Sequence, residues 1–184
     1  SRAENYSNAA SGIYVDQTSS VTIGGTSASD RNIISDNGAE GIHIRSASNV
    51  TVLGNYIGTA GSGSSALGNS ENGIHIDGSS NVNVGNGLSS GRNIIAGNGR
   101  RAIAVDAGSV SNITMNENYL GTDSSGNTAL TNGQNYDWYF GDAIGFGSGS
   151  YNNINILNNV MGGFPGAHIE FYGTAASNVT IQGN

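Results

Sequence analysis

Three short segments between residues 73 and 95 decide the fold: Gly73-Ile74-His75-Ile76, then Val82-Asn83-Val84, then Asn93-Ile94-Ile95. The first two alternate apolar and polar residues with period two, the pattern of a half-buried strand. All three recur. The first returns as Gly12-Ile13-Tyr14-Val15, Gly41-Ile42-His43-Ile44, Ala102-Ile103-Ala104-Val105, Ala143-Ile144-Gly145-Phe146 and Ala167-His168-Ile169-Glu170-Phe171. The second returns as Val21-Thr22-Ile23, Val50-Thr51-Val52, Ile113-Thr114-Met115, Ile154-Asn155-Ile156 and Val179-Thr180-Ile181. The third returns as Asn32-Ile33-Ile34, Asn55-Tyr56-Ile57, Asn118-Tyr119-Leu120 and Asn159-Val160-Met161. Each repeat is three short strands separated by turns.

Repeats start near residues 12, 41, 73, 102, 143 and 168, and the first five starts are 29, 32, 29 and 41 residues apart. Fixed strand motifs at unequal spacing mean that the turns absorb insertions. Short loops follow the second strand in the first and third repeats (24–31 and 85–92), and longer ones follow the third strand in the second and fourth (58–72 and 121–142). Glycine and asparagine density and the lack of a 3.6-residue period exclude long helices. One repeat buries about six aliphatic side chains, worth roughly 1.5–3 kcal/mol each. Ordering its backbone costs about 1–2 kcal/mol per residue. A single repeat therefore cannot fold alone, whereas stacking at about 4.8 Å pairs every strand above and below. Every motif repeats in the same chain direction, so the pairing is parallel and the crossovers right-handed. The prediction is an all-β, right-handed parallel β-helix with three sheets and about six coils. It forms one domain over 1–184 and reads as a segment of a longer solenoid.

Two columns of asparagine support this. Asn49, Asn81, Asn112, Asn153 and Asn178 precede the second strand. Asn32, Asn55, Asn93, Asn118 and Asn159 precede the third, with Asn5 and Asn184 extending that column. A semi-buried amide must be hydrogen-bonded, and in a parallel stack each NH₂ reaches the carbonyl of the next Asn. Asparagine also tolerates the left-handed backbone of sharp turns.

Composition narrows the function classes. The net charge is -7, with 10% charged residues and no lysine, which disfavours nucleic acid and anionic membrane surfaces. No apolar run reaches the roughly 20 residues of a membrane span. With no cysteine, disulfides and thiolate metal sites are excluded.

The motifs Gly24-Gly25-Thr26, Arg92-Asn93-Ile94-Ile95-Ala96-Gly97-Asn98-Gly99, Gly54-Asn55-Tyr56-Ile57-Gly58-Thr59 and Ala66-Leu67-Gly68-Asn69 resemble right-handed parallel β-helix repeats of large bacterial extracellular and surface proteins. That is the pectate-lyase-like superfamily fold. The resemblance covers nearly the whole chain and implies the fold, which carries lyases, epimerases, phage tailspikes and non-catalytic adhesins alike. The Asn-Thr-Asp, Asp-Asp, Gly-His-Gly and Arg-Ile-Lys strings of polygalacturonase-like sites do not occur. Lysine-based lyases need a lysine, and the Asp-Pro-His-Glu string of alginate epimerases is also missing.

Candidate chemistry lies on the outward positions of the first strand. One column reads Tyr14, His43, His75, Ala104, Gly145, Glu170, and its neighbour Asp16, Arg45, Asp77, Asp106, Gly147, Tyr172. His43, Arg45 and His75 with Asp77 and Asp106 make a sugar or uronate groove, the acids serving as general acid or base and Arg45 holding an anion. The bland alternative is a solvated face whose alternating charges fix register. His43 and His75 as a metal pair lack a third ligand. The insertion of the fourth repeat carries Tyr136, Asp137, Trp138, Tyr139 and Asp142. Its rings Tyr136, Trp138 and Tyr139 are carbohydrate platforms or a satellite core, and Asp77, Asp106, Asp137 and Asp142 are the available catalytic acids. Asp123, Ser125 and Asn127 alternate oxygen ligands for Ca²⁺, although a plain turn explains them as well. Asn-x-Ser/Thr triplets at Asn5, Asn49, Asn112 and Asn178 fall on ladder positions expected to be hidden.

The expected function is a non-catalytic, secreted or cell-surface module with a structural or adhesive role, without cofactor, contacting carbohydrate and able to associate end to end or laterally. A polysaccharide-active lyase, epimerase or glycosidase is the alternative. A phage or secreted fibre segment is the third reading.

Overall fold

The computed structural model describes residues 8–133, 141–173 and 175–184. Their strands fall into three sheets. Sheet A takes the first strand of every coil: β1 (Ile13–Asp16), β4 (Ile42–Arg45), β7 (Ile74–Asp77), β10 (Ile103–Asp106), β13 (Ile144–Phe146) and β16 (Ile169–Phe171). Sheet B takes the second: β2 (Ser19–Gly24), β5 (Ser48–Leu53), β8 (Ser80–Val84), β11 (Ser109–Asn116), β14 (Ser150–Leu157) and β17 (Ala175–Gln182). Sheet C takes the third: β3 (Ile33–Ile34), β6 (Tyr56–Ile57), β9 (Ile94–Ile95), β12 (Tyr119–Leu120) and β15 (Val160–Met161). Every pairing between these strands is parallel, and each strand pairs with its counterpart one coil away. The chain is a right-handed parallel β-helix.

Register follows the sequence motifs residue for residue. Ile13, Ile42, Ile74, Ile103, Ile144 and Ile169 form one stack across sheet A. Val21, Val50, Val82, Ile113, Ile154 and Val179 form another across sheet B. A one-residue slip would turn each stack outward, so burial fixes the register. Ile42, Ile74, Ile103, Val50, Val82, Ile113 and Ile154 are fully buried. A further inward stack of sheet A runs Val15, Ile44, Ile76, Val105, Phe146 and Phe171, and its last two rings stack with centroids 4.2 Å apart.

The two expected asparagine columns differ in kind. The column before sheet C is a ladder buried at Asn55, Asn93, Asn118 and Asn159: Asn32, Asn55, Asn93, Asn118 and Asn159 each donate from Nδ2 to Oδ1 of the next, ending on Asn184 at 2.8 Å. The same Nδ2 groups of Asn55, Asn93, Asn118, Asn159 and Asn184 also donate to strand carbonyls, those of Ile23, Val52, Val84, Met115 and Ile156. Asn5 lies outside the described residues. The column before the second strand is not semi-buried. Asn49, Asn81, Asn112, Asn153 and Asn178 are exposed, with φ between 54° and 57°. Their ladder bonds run the other way, Asn153 to Asn112 and Asn112 to Asn81. Left-handed backbone turns these side chains outward, so the triplets at Asn49, Asn112 and Asn178 are open rather than hidden.

A third ladder lies at the turn entering sheet A, where Asn8, Asn37, Asn69 and Asn98 donate in turn to the next, ending on Asn132. The long insertions each fold back through one antiparallel bridge, Thr59 with Ala66 and Thr122 with Ala129. They stack on one another through the Ser124 N–H to the Gly63 carbonyl at 2.9 Å.

Candidate functional site

The outer face of sheet A gathers the charged groups. Parallel register places His43 beside His75, Arg45 beside Asp77, and Asp77 beside Asp106. The rings of Tyr14, His43 and His75 form a row along the solenoid axis, with centroids 5.1 Å apart and then 4.7 Å apart. The two imidazoles lie within 8° of parallel. Facing rings occupy one another's π-surfaces, so the imidazoles offer a ligand their edges rather than a platform for sugar C–H groups. Arg45 donates to the Tyr14 hydroxyl at 3.0 Å and stands 3.9 Å from Asp16.

His75 is the hub. Its Nδ1 lies 3.5 Å from Glu40 Oε1 and its Nε2 lies 3.3 Å from Asp106 Oδ2. Neither contact meets strict hydrogen-bond geometry, and the two carboxylates flank the imidazole at its two nitrogens. Glu40 comes from the coil before and Asp106 from the coil after, and one imidazole therefore spans three coils. Burial alone would lower the His75 pKa, but Asp106 and Glu40 outweigh it and raise it to about 9. The cation in turn holds Glu40 down to about 2, against the cost of its burial, and the Ser11 hydroxyl adds a hydrogen bond at 3.0 Å. Asp106 is lowered chiefly by His75. His43 moves the opposite way: burial, then the charge on His75, lowers its pKa, although Asp77 lies 4.0 Å from Nε2.

A second cluster sits one step along the same face. Asp142, 2% exposed, takes Arg101 Nε at 2.9 Å on Oδ2 and the Ala167 N–H at 3.0 Å on Oδ1. Glu170 stands 3.5 Å from the same guanidinium. Burial and then the neighbouring Asp142 raise the Glu170 pKa. These side chains explain the gaps in the outward columns. A Cβ on Gly145 would meet Arg101 Nε at 2.1 Å, and one on Gly147 would meet Asp106 Oδ1 at 1.7 Å. Both positions are glycine because a charged side chain lies over them.

The structure thus brings His43, Arg45, His75, Asp77 and Asp106 together on one face, and adds Glu40, Ser11 and Arg101. It separates Asp142 from solvent. Tyr136, Asp137, Trp138 and Tyr139 lie outside the described residues. At the Asp123 turn, Oδ1 accepts the Ser125 hydroxyl at 2.7 Å and the N–H groups of Ser125, Asn127 and Thr128. Chiefly that hydroxyl lowers its pKa. The oxygen is already met by donors, as in an Asx turn. Among the described residues, no three His, Asp or Glu side chains group as metal ligands.

Two depressions lie elsewhere. One of about 580 Å³ is lined by Asn8, Ile13, Arg31 and Ile33, and one of about 380 Å³ by Ser111, Tyr151, Asn152 and Ser177. No described helix is long and apolar enough to cross a membrane. Glu40 escapes a reading of the strands alone because it sits just upstream of one, three residues before His43. Arg101 occupies the equivalent place before Ala104, as the candidate acid Asp142 does before Gly145, so aligning repeats outward from the strands would have found Glu40 and Arg101 as well. The chain matches no family model, no curated protein and no solved structure.

Proposed function

We propose that the chain is a non-catalytic module of a secreted or cell-surface protein of bacterial type, a rigid β-solenoid with a structural and adhesive role that contacts carbohydrate. One observation carries this: five ionisable groups of the sheet A face, Glu40, His75, Asp106, Arg101 and Asp142, are committed to one another. Glu40 and Asp106 hold His75, while Arg101 and the Ala167 N–H hold Asp142. A general acid or base needs a group whose pKa is poised near the working pH and free to meet substrate. Here Glu40 and Asp106 are lowered and His75 is raised, which favours their charged, mutually paired forms. Interlocked charges serve register and rigidity instead, as cross-strand pairs do in sheets.

The second reading is a polysaccharide-active enzyme of the pectate-lyase-like class. Its support is that Asp77 and Asp106 are in-register neighbours next to the two imidazoles. Incubation with a panel of neutral and uronate glycans separates the two. The module reading expects no new reducing ends and no unsaturated products, together with glycan binding weakened by Trp138→Ala. Turnover abolished by Asp77→Ala or Asp106→Ala would overturn it in favour of the enzyme.

A further inference from the structure

Five Asn-Gly steps occur in the chain: Asn37-Gly38, Asn72-Gly73, Asn86-Gly87, Asn98-Gly99 and Asn132-Gly133. At such a step the following backbone nitrogen readily attacks the side-chain carboxamide, because glycine has no Cβ to obstruct the approach. In four of the five, the structure restrains both reactants. The N–H groups of Gly38, Gly73, Gly99 and Gly133 donate to Asn8, Arg101, Asn69 and Asn98 carbonyls at 2.7, 3.0, 2.8 and 2.9 Å. Asn37, Asn72, Asn98 and Asn132 are buried. Three of them belong to the ladder entering sheet A, and Asn72 accepts the Arg101 N–H.

Asn86-Gly87 differs on each count. The Asn86 side chain is exposed. The Gly87 N–H has no backbone acceptor among the described residues. The Leu88 N–H donates to Asn86 Oδ1 at 3.0 Å. That bond polarises the carboxamide and stands where negative charge develops when a nucleophile adds to Cγ.

We infer that Asn86 is a site of spontaneous backbone-assisted deamidation. The Gly87 nitrogen gives up its proton to solvent base and bonds to Asn86 Cγ. The Cγ–Nδ2 bond breaks, and the leaving nitrogen takes up a proton to depart as ammonia. Water then opens the cyclic imide to aspartate or isoaspartate.

The equivalent loop of the first coil already holds a carboxylate, so an aspartate product fits this loop. There Gly25 stands in place of Asn86, and the Asp30 carboxylate accepts the Ser27 N–H at 3.3 Å. A Cβ on Gly25 would lie 2.6 Å from Asp30 Oδ2. In the third coil the exchange is reversed: Gly91 stands in place of Asp30, and a Cβ there would lie 2.3 Å from Asn86 Oδ1. Each loop is filled by one oxygen-bearing side chain, supplied from opposite ends. An aspartate product at 86 puts a carboxylate where the first loop already carries one. An isoaspartate product lengthens the backbone and carries the acceptor away from the Leu88 N–H.

The test is fragment-resolved mass spectrometry of native protein held at mildly alkaline pH, with isoaspartyl methyltransferase labelling. Asn86 is expected to react at least about tenfold faster than the other four, which react only from locally opened states. In denaturant all five should converge. Equal rates at all five in the native protein, or an unreactive Asn86 in a chain that reacts elsewhere, would overturn the site. Asn86→Asp is expected to leave the urea midpoint unchanged, and a marked drop would overturn the product assignment.

Discussion

Arg101 Nε stands 2.9 Å from Asp142 Oδ2, and the guanidinium reaches it across the bare Cα of Gly145. The pair links the fourth coil to the fifth where an insertion lengthens the connection. Both partners are almost fully buried. Removing one leaves the other charge stranded, which costs about 3–5 kcal/mol in such settings. Arg101→Met should therefore lower unfolding stability by that order. Adding Asp142→Asn to it should recover part of the loss, since the amide oxygen still accepts the Ala167 N–H. Urea denaturation of the two variants measures this, and a double variant no more stable than Arg101→Met alone would refute the pairing.

The two asparagine columns should respond differently to truncation. Asn118 donates to Val84 O and Asn159 Oδ1 and accepts from Asn93, all out of water. Asn118→Ala orphans several buried groups at about 1–3 kcal/mol each, so a loss of at least about 3 kcal/mol is expected. Asn112 is exposed with φ 57°. Asn112→Ala should cost only about 1–2 kcal/mol, the left-handed penalty of an L-residue, and Asn112→Gly should be near neutral. Urea midpoints of the three variants rank the columns.

The ionisable groups of sheet A are expected to give the protein a pH optimum of stability. Glu40 is depressed from 4.5 to about 2, so its contribution is present above 4.5 and is lost as pH falls through 2. His75 is raised from 6.5 to about 9, so its contribution is complete below 6.5 and is lost as pH rises through 9. His43 is depressed below 6.5, so its neutral form favours the fold as pH rises toward that value. Together they place the maximum near 6.5. Glu40 and His75 share one interaction, so the swing is a few kcal/mol rather than the sum of two shifts, about 1.4 kcal/mol per unit before that overlap. Native stability should fall between pH 6.5 and pH 9. His75→Gln should flatten that limb, and an unchanged limb would show that the triad contributes nothing.

The fold was legible because its strongest signals are periodic. Alternating Ile and Val put every inward stack in place, and an Asn immediately before each third strand located the buried ladder. The ladder from Asn8 to Asn132 was obscured by insertions, since its distance from the preceding strand varies. Counted backward it is regular: Asn8, Asn37, Asn69 and Asn98 each lie five residues before Ile13, Ile42, Ile74 and Ile103. The face was half legible. Period two identifies which residues point outward, but not that Arg101 and Asp106 lie over Gly145 and Gly147. Side-chain reach between coils leaves no mark on periodicity.

Beside sheet C lies a natural pair of nearly matched sites, one coil-pair apart. Arg31 lies over the Tyr56 ring at 4.1 Å and Arg92 over Tyr119 at 3.9 Å. Each guanidinium Nε also donates to a backbone carbonyl, Gly54 and Glu117 respectively. The difference is one carboxylate: Arg92 also pairs with the Glu117 side chain, whereas the residue in the corresponding place beside Arg31 is Gly54. A half-buried cation over a tyrosine is worth about 0.5–1 kcal/mol, and an added partly buried carboxylate contributes about as much again. Arg31→Lys and Arg92→Lys both lose the planar fork that stacks on a ring. Double-mutant cycles with Tyr56→Leu and Tyr119→Leu should return similar coupling at both sites. Arg92→Lys should nevertheless lower stability more than Arg31→Lys, and Glu117→Gln should remove most of that excess. Equal losses in the presence of Glu117 would mean that the ring, rather than the carboxylate, holds Arg92 in place.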